Sequence, residues 1–253
     1  MTDTVAPPPQ IQLIKGNVKS ILTGNRFIIR GAPKNPSAVP PEKILVLNNV
    51  KCPETARGAT KNMPAKPMDD SWAWEIREWV RKTYIGKNIT FSIEHVFGDG
   101  AQVAGNLWLE EENPKTDRGL IEKGLSLGWF SLQENCRDRP DLEDLVTYAK
   151  NKSLGRYNMN ATPIIRQIKW DIAENPKSVI SIVKQAGNKQ LDAQVEFVLS
   201  GNVVKVYLTE QQCFLVVQLS GVKCPAQQKA GAPVDDEAKW YQPARLFSES
   251  QRV

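Results

Sequence analysis

The chain has 253 residues, 41% of them hydrophobic and 24% charged, with a formal net charge of +5. That composition supports a packed core in one large or two modest domains and argues against global disorder. No run of about 18 apolar residues occurs, so no membrane-spanning helix and no membrane partner is expected.

The first ten residues carry Pro7, Pro8 and Pro9 and lack the basic-then-apolar pattern of an export signal. Positions 1–11 read as a loose, disordered tail. The four cysteines, Cys52, Cys136, Cys213 and Cys224, are far apart and form no CxxC. They read as reduced thiols, which implies a cytoplasmic or nuclear protein. Positions 12–22 and 25–30 predict two strands joined at Thr23-Gly24-Asn25, where Gly and Asn tolerate positive φ. A Pro-rich loop at 32–41 leads to a third strand at 43–50. After a long loop, Ser71 is placed to cap a helix with Trp72, Ile76, Trp79, Val80 and Thr83 on one face, ended by Gly86. Ile89, Phe91 and Ile93 alternate with Thr90, Ser92 and Glu94, as in a half-buried strand. Gly98-Asp99-Gly100 turns the chain into a partner strand ending at Leu107-Trp108-Leu109. Two short helices follow, near 117–127 and 141–152.

Five strands with a helix between the third and fourth is the order of an oligonucleotide-binding fold, here an α+β, mostly β, five-stranded barrel with three helices. Positions 158–190 form a bridge, with a strand expected at 164–172 and a helix at 176–185. From 191 onward three landmarks return in order. Ile21-Leu22-Thr23-Gly24-Asn25 is echoed by Val198-Leu199-Ser200-Gly201-Asn202, and Val50-Lys51-Cys52-Pro53 by Val222-Lys223-Cys224-Pro225. Asp69-Asp70-Ser71-Trp72-Ala73-Trp74 is echoed by Asp235-Asp236-Glu237-Ala238-Lys239-Trp240. Three collinear matches mark an internal repeat. The organisation is therefore a complete module at 12–157, the bridge, and a partial second copy at 191–253 with three strands and a helix. Pro243 is expected to kink that helix.

Charge is uneven along the chain. Positions 15 to 66 hold ten Lys or Arg and two acids, whereas positions 69 to 145 hold nine bases and sixteen acids. A basic block over the first strands is a candidate phosphate-binding footprint, with a solvated surface as the bland alternative. The candidate nucleic-acid contacts are Lys15, Lys19, Arg26, Arg30, Lys34, Lys51, Arg57 and Lys61.

The repeated landmarks, the helix Asp70-Ser71-Trp72-Ala73-Trp74-Glu75-Ile76-Arg77-Glu78 and the bridge from Ile165 to Pro176 resemble the Tudor staphylococcal nuclease family. The likeness is to its first nuclease-like repeat, the start of its second and the junction between them. Members have four such repeats, then a Tudor domain fused with a partial fifth, so a fragment or a shortened relative is expected. The resemblance implies RNA binding and work in RNA silencing (RISC), RNA decay, splicing, transcription and stress granules, with ribonucleoprotein components as protein partners. RNA, single-stranded or a structured small RNA, is the expected ligand. The parent nuclease chemistry needs two aspartates for calcium, a glutamate that activates water and two arginines for phosphate. Carried over, those positions are Asn25 and Lys51 for the aspartates, Glu54 for the glutamate, and Val46 and Gln102 for the arginines. Only Glu54 is retained as a catalytic residue. The second copy has Asn202, Gln218, Lys223 and Ala226 at four of the positions. An ammonium at a ligand position repels a divalent cation, so no metal or other cofactor is expected, calcium entering only in the nuclease alternative.

Other candidates are weaker. His95 reads as a rim histidine before a general base, Glu110-Glu111-Glu112 as a solvated loop, and Trp72 and Trp79 as core with Trp74 partly exposed. The reading is an RNA-binding scaffold with a degenerate nuclease site. The alternatives are a calcium-dependent RNA nuclease and a protein-interaction scaffold in transcription or ribonucleoprotein complexes.

Overall fold

The computed structural model describes residues 11–33, 39–60, 63–134, 136, 139–226 and 238–251. These form two compact units that interleave along the chain. One runs through Cys52 and resumes at Lys87–Asn160; the other comprises Pro53–Gly86 and the chain from Ala161 onward.

In the first unit, β1 (Gln12–Thr23) and β2 (Arg26–Arg30) form a hairpin, and β2 pairs antiparallel with β3 (Glu42–Leu47). The turn residues Gly24 and Asn25 do not use the positive φ expected of them. The twist is taken up by irregularities between Val18 and Ser20 and between Ile21 and Thr23. After β3 come β4 (Val50–Lys51), β5 (Asn88–Ile93), β6 (His95–Phe97), β7 (Gln102–Gly105) and β8 (Leu107–Leu109).

The closed five-stranded barrel expected from the sequence is corrected to a seven-stranded sheet in the order β6-β7-β3-β2-β1-β5-β8. The reason is local. The fourth and fifth expected strands are each broken once, at Glu94 and at Asn106, and each half takes a different neighbour. β5 lies on β1 and β8, while β6 lies on β7, which runs parallel to β3. Side chains hold the break: Ser92 Oγ accepts the Asn106 N–H at 2.8 Å, which is why Ser92 is buried against the expected alternation. Gly105 lies so close to the Ser92 carbonyl that a Cβ there would collide with backbone.

The helices α2 (Leu120–Ser126) and α3 (Pro140–Asn151) flank a small ladder of β4 with β9 (Ser131–Leu132). Gly119 cannot cap α2 with a side chain, so Asn106 reaches over and accepts the Ile121 N–H at 3.0 Å. α3 starts with Pro140 at its first turn, where its missing N–H costs nothing.

The second unit contains α1 (Ala73–Tyr84), α4 (Asp171–Glu174), α5 (Pro176–Ala186), a three-stranded sheet β10-β11-β12 (Ala193–Ser200, Val203–Leu208, Cys213–Gln218) and α6 (Tyr241–Ser250). α1 is not capped by Ser71: its N-cap is Trp72, held at φ 71°, and Gly86 follows the helix at φ 72°. The strand expected at 164–172 is absent. Gln167 makes a single bridge to Met68, and the end of the segment coils into α4. α5 has Asn175 as N-cap, its side chain accepting the Lys177 N–H, and Pro176 at the first turn.

The β10–β11 hairpin repeats the irregularities of β1–β2, between Val195 and Phe197 and between Val198 and Ser200. Each falls 177 residues beyond its counterpart, the offset of the Gly-Asn landmark itself. Pro243 does not kink α6, because it lies in the first turn, where N–H groups have no intrahelical acceptor to lose. Two repeated landmarks meet in this unit: Gly201 packs on the Cys224 side chain, and Asn202 Nδ2 donates to the Val222 carbonyl at 2.8 Å. Between the sheet and α6 lies an apolar cleft of about 820 Å³, lined by Val195, Val198, Val204, Leu219 and Phe247 among others.

Candidate functional site

The positions singled out by the nuclease resemblance fall in different units. Asn25, Val46 and Gln102 belong to the first unit and gather where β2, β3 and β7 run side by side. The Asn25 carbonyl accepts the Leu47 N–H at 2.9 Å, and its side-chain oxygen accepts from Thr23 Oγ1 at 2.9 Å. Val46 lies opposite Arg26, whose Nη2 donates to Gln102 Oε1 at 3.3 Å. The two positions expected to have lost their arginines therefore border an arginine from the neighbouring strand.

Lys51, on β4, donates from Nζ to the Glu134 carboxylate at 2.7 Å. The hydrogen bond from Lys51 holds the Glu134 carboxyl below its ordinary range. Where the nuclease chemistry calls for a calcium-binding aspartate, this chain has a cation with its own acid.

Glu54 belongs to the second unit and closes a four-charge clamp on the loop before α1. It accepts from Arg57 Nη1 at 2.7 Å and lies 3.5 Å from Lys66 Nζ, which also donates to Asp70 at 2.8 Å. Backbone bonds tie the same residues together: Glu54 N–H to the Asp70 carboxylate, and Asp70 N–H to the Glu54 carbonyl, both 2.9 Å. The hydrogen bond from Arg57 lowers the Glu54 pKa against the opposing effect of burial. Glu54 is held as an ion-pair partner of Arg57 and Lys66.

The calcium set does not fit. Its carboxylate positions hold Asn25 and Lys51, and among the described residues no three His, Cys, Asp or Glu side chains gather to hold an ion.

The basic residues are engaged by acids or amides, mostly at the surface. Lys19 donates to Glu42 at 2.6 Å, and Arg30 lies 3.9 Å from the same carboxylate. Lys15 is 3.5 Å from Glu110, with its own side chain 79% exposed. Arg26 has the neutral Gln102, Arg57 has Glu54 and Lys51 has Glu134. Lys34 and Lys61 lie outside the described residues. The exposed pairs, Lys15–Glu110 and Lys51–Glu134, are worth about 0–1 kcal/mol each, so a phosphate can replace the acid there at small cost; the Lys19 and Arg30 side chains are more buried, at 11% and 17% exposure.

Sequence reasoning missed the most constrained polar group. Asp69 is buried, and its carboxylate accepts from Arg166 Nε at 2.7 Å and from the Ala56 N–H at 2.6 Å. Arg166 stacks over Trp74 at 3.7 Å and over Tyr207 at 4.9 Å. Trp74 therefore gives a ring face to a guanidinium within its own unit. The signal was present, since Asp69 opens a repeated landmark and Arg166 lies in the bridge, but nothing in either segment shows that they pair. Glu110 and Glu112 form no carboxylate cluster: the first accepts from Asn88, and the second pairs with Lys123.

No family model matches the chain. It is 27% identical over 264 residues to Staphylococcal nuclease domain-containing protein 1 of Drosophila melanogaster, covering 98% of this chain and 27% of that protein. It is 25% and 26% identical, over 229 residues each, to Ribonuclease TUDOR 2 and Ribonuclease TUDOR 1 of Arabidopsis thaliana. Those matches cover 85% of this chain and 22% of each relative. The chain spans about a quarter of the length of the curated relatives it matches.

Proposed function

This chain is related to the Tudor staphylococcal nuclease family, and from that premise we propose that it is an RNA-binding scaffold whose nuclease site has degenerated. The observation that carries the reading is Lys51, bonded to Glu134 at a position where the family resemblance calls for a calcium-binding aspartate. The relatives' names speak of nuclease and ribonuclease, and this chain keeps a nuclease-like framework while its charges are rearranged against metal-assisted hydrolysis.

On this reading the first copy is an oligonucleotide-binding-type module at 12–157, and 191–253 is a partial second copy. RNA lies across β1 to β3, held by Lys15, Lys19, Arg26 and Arg30. Lys51 contributes from β4. Phosphate contacts carry no base information, so sequence preference is slight. The same reading assigns the chain to RNA-silencing or other ribonucleoprotein complexes of the cytoplasm and nucleus.

The test is fluorescence anisotropy with a labelled single-stranded RNA across a salt series. Neutralising roughly four phosphates gives a slope of log affinity against log salt near −0.7 per contact. Reversing Arg26 and Arg30 to Glu weakens all sequences about equally, while Lys115→Glu has little effect. Equal effects from both sites, or affinity indifferent to salt, would remove the electrostatic reading and move the protein-interaction scaffold ahead.

A further inference from the structure

One face of the β2-β3-β7-β6 ribbon joins two positions of the nuclease comparison, Val46 and Gln102, to residues that the comparison does not use. Cross-strand partners share a face, so two rows can be read across it. One row is Arg26, Val46, Ala104 and His95; the next is Ile28, Ile44, Gln102 and Phe97. The opposite face is core over β2, β3 and β7, where Phe27, Ile29, Leu45, Leu47 and Val103 are at most 2% exposed.

At the β6 end of the rows Phe97 is 40% exposed and His95 is exposed as well. Their rings meet edge to face, centroids 4.7 Å apart and planes at 77°. Toward the other end, Arg26 gives Nη2 to Gln102, while its buried Nε has no hydrogen-bond partner among the described residues. Among the described residues its side chain is bonded to a neutral amide and not to an acid, which leaves its charge open to an anion. Half-buried Ile28, Ile44 and Val46 and the buried Ala104 lie between the cation and the ring pair.

The geometry points to a docking platform for single-stranded RNA, with a base stacked on Phe97 beside His95 and the adjoining phosphate on Arg26. The inference rests on the RNA-binding reading and adds the site and the strand class. A guanidinium without an acid calls for an anion, and an exposed aromatic pair calls for a flat π-face. A single strand supplies both at neighbouring positions, whereas a duplex keeps its base faces stacked inside.

The test compares a labelled ten-nucleotide oligouridine, an abasic strand of the same length and a blunt RNA duplex by anisotropy. Phe97→Ala weakens oligouridine binding by roughly 5- to 100-fold, the range for loss of one stacked base, and leaves abasic-strand binding and the salt slope unchanged. Arg26→Gln weakens both strands and lowers the slope by about 0.7. In Phe97→Trp, which keeps an aromatic face, the indole emission is quenched by oligouridine and not by the abasic strand. Thermal melting serves as the folding control, because Phe97 is an exposed edge-strand residue. If Phe97→Ala binds oligouridine as tightly as wild type, or the abasic strand binds as well as oligouridine, the platform is wrong while RNA binding stands. If wild type shows no salt-dependent affinity for any of the three probes, the RNA-binding reading itself fails.

Discussion

Replacing Asp69 by Asn removes one charge from the most buried ion pair described here. The Asp69 side chain is 0% exposed and that of Arg166 6%. Both Arg166–carboxylate hydrogen bonds, at 2.7 and 3.2 Å, are made to Asp69. Asn preserves the shape and can still accept the Ala56 N–H, so the change isolates the charge. Removing one partner of a buried pair costs about 3–5 kcal/mol, because the other charge is left desolvated. Arg166 keeps its contacts with Trp74 and Tyr207, which offset part of that loss, so about 3 kcal/mol is expected.

The consequence is local before it is global, since Asp69 N–H bonds the Arg166 carbonyl at 3.0 Å and Ile168 N–H bonds the Pro67 carbonyl at 2.8 Å. Hydrogen exchange at the Asp69 and Ile168 amides reads the opening directly. A 3 kcal/mol loss lowers protection about 150-fold there, while the β1–β5 amides of the first unit stay protected. The double variant Asp69→Asn with Arg166→Met should recover part of the loss, because no buried charge is then left alone. A change below about threefold in Asp69→Asn, or no recovery in the double variant, would refute the reasoning.

The Glu54 clamp gives a pH prediction. The hydrogen bond from Arg57 lowers Glu54; for Asp70, burial pushes upward but the bonds from Lys66 and the Glu54 N–H prevail and lower it. Depressed carboxylates stabilise fully above their ordinary values of 4.5 and 3.8, and that stabilisation is lost as pH falls through the lowered ones. Amide protection factors at Arg57 and Lys66 should hold from pH 7 to about 5 and fall below it; a fall beginning near pH 7 contradicts the assignment. Gly105→Ala forces a Cβ into the Ser92 backbone and should cost about 1–3 kcal/mol in urea unfolding, more than Gly58→Ala, where a Cβ meets nothing nearer than 3.5 Å and no positive φ resists. Calcium at millimolar concentration should leave the melting temperature unchanged, since a ligand binding the native state at a hundred times its Kd adds about 2.7 kcal/mol. A rise that Glu54→Gln abolishes would restore the metal site.

The hairpins, the helix at 176–186 and the repeat were legible because each rests on local signals: alternation, Asn175-Pro176 before a helix, a Gly-Asn turn. The repeat was legible for a structural reason, as the Gly201 and Cys224 landmarks touch. What the sequence did not yield came from groups distant along the chain. Ser92 and Asn106 break two strands by bonding each other, and Asn106 also caps α2 in place of Gly119. Arg166 serves Asp69 across 97 positions, so the segment at 164–172 keeps one bridge and forms no strand. At the candidate site, the residue types at 25, 46, 51, 54 and 102 were readable. That Arg26 reaches Gln102, and that Lys51 has Glu134 for a partner, required the fold.

The central claim is binding without cleavage, and one incubation tests both halves. A 5′-labelled single-stranded RNA is mixed with the chain in calcium, and each sample is divided between a native gel and a denaturing gel. The account predicts a shifted band that weakens steeply with added salt and RNA of full length after prolonged incubation. Calcium-dependent shortening of the RNA, abolished by Glu54→Gln, would contradict it.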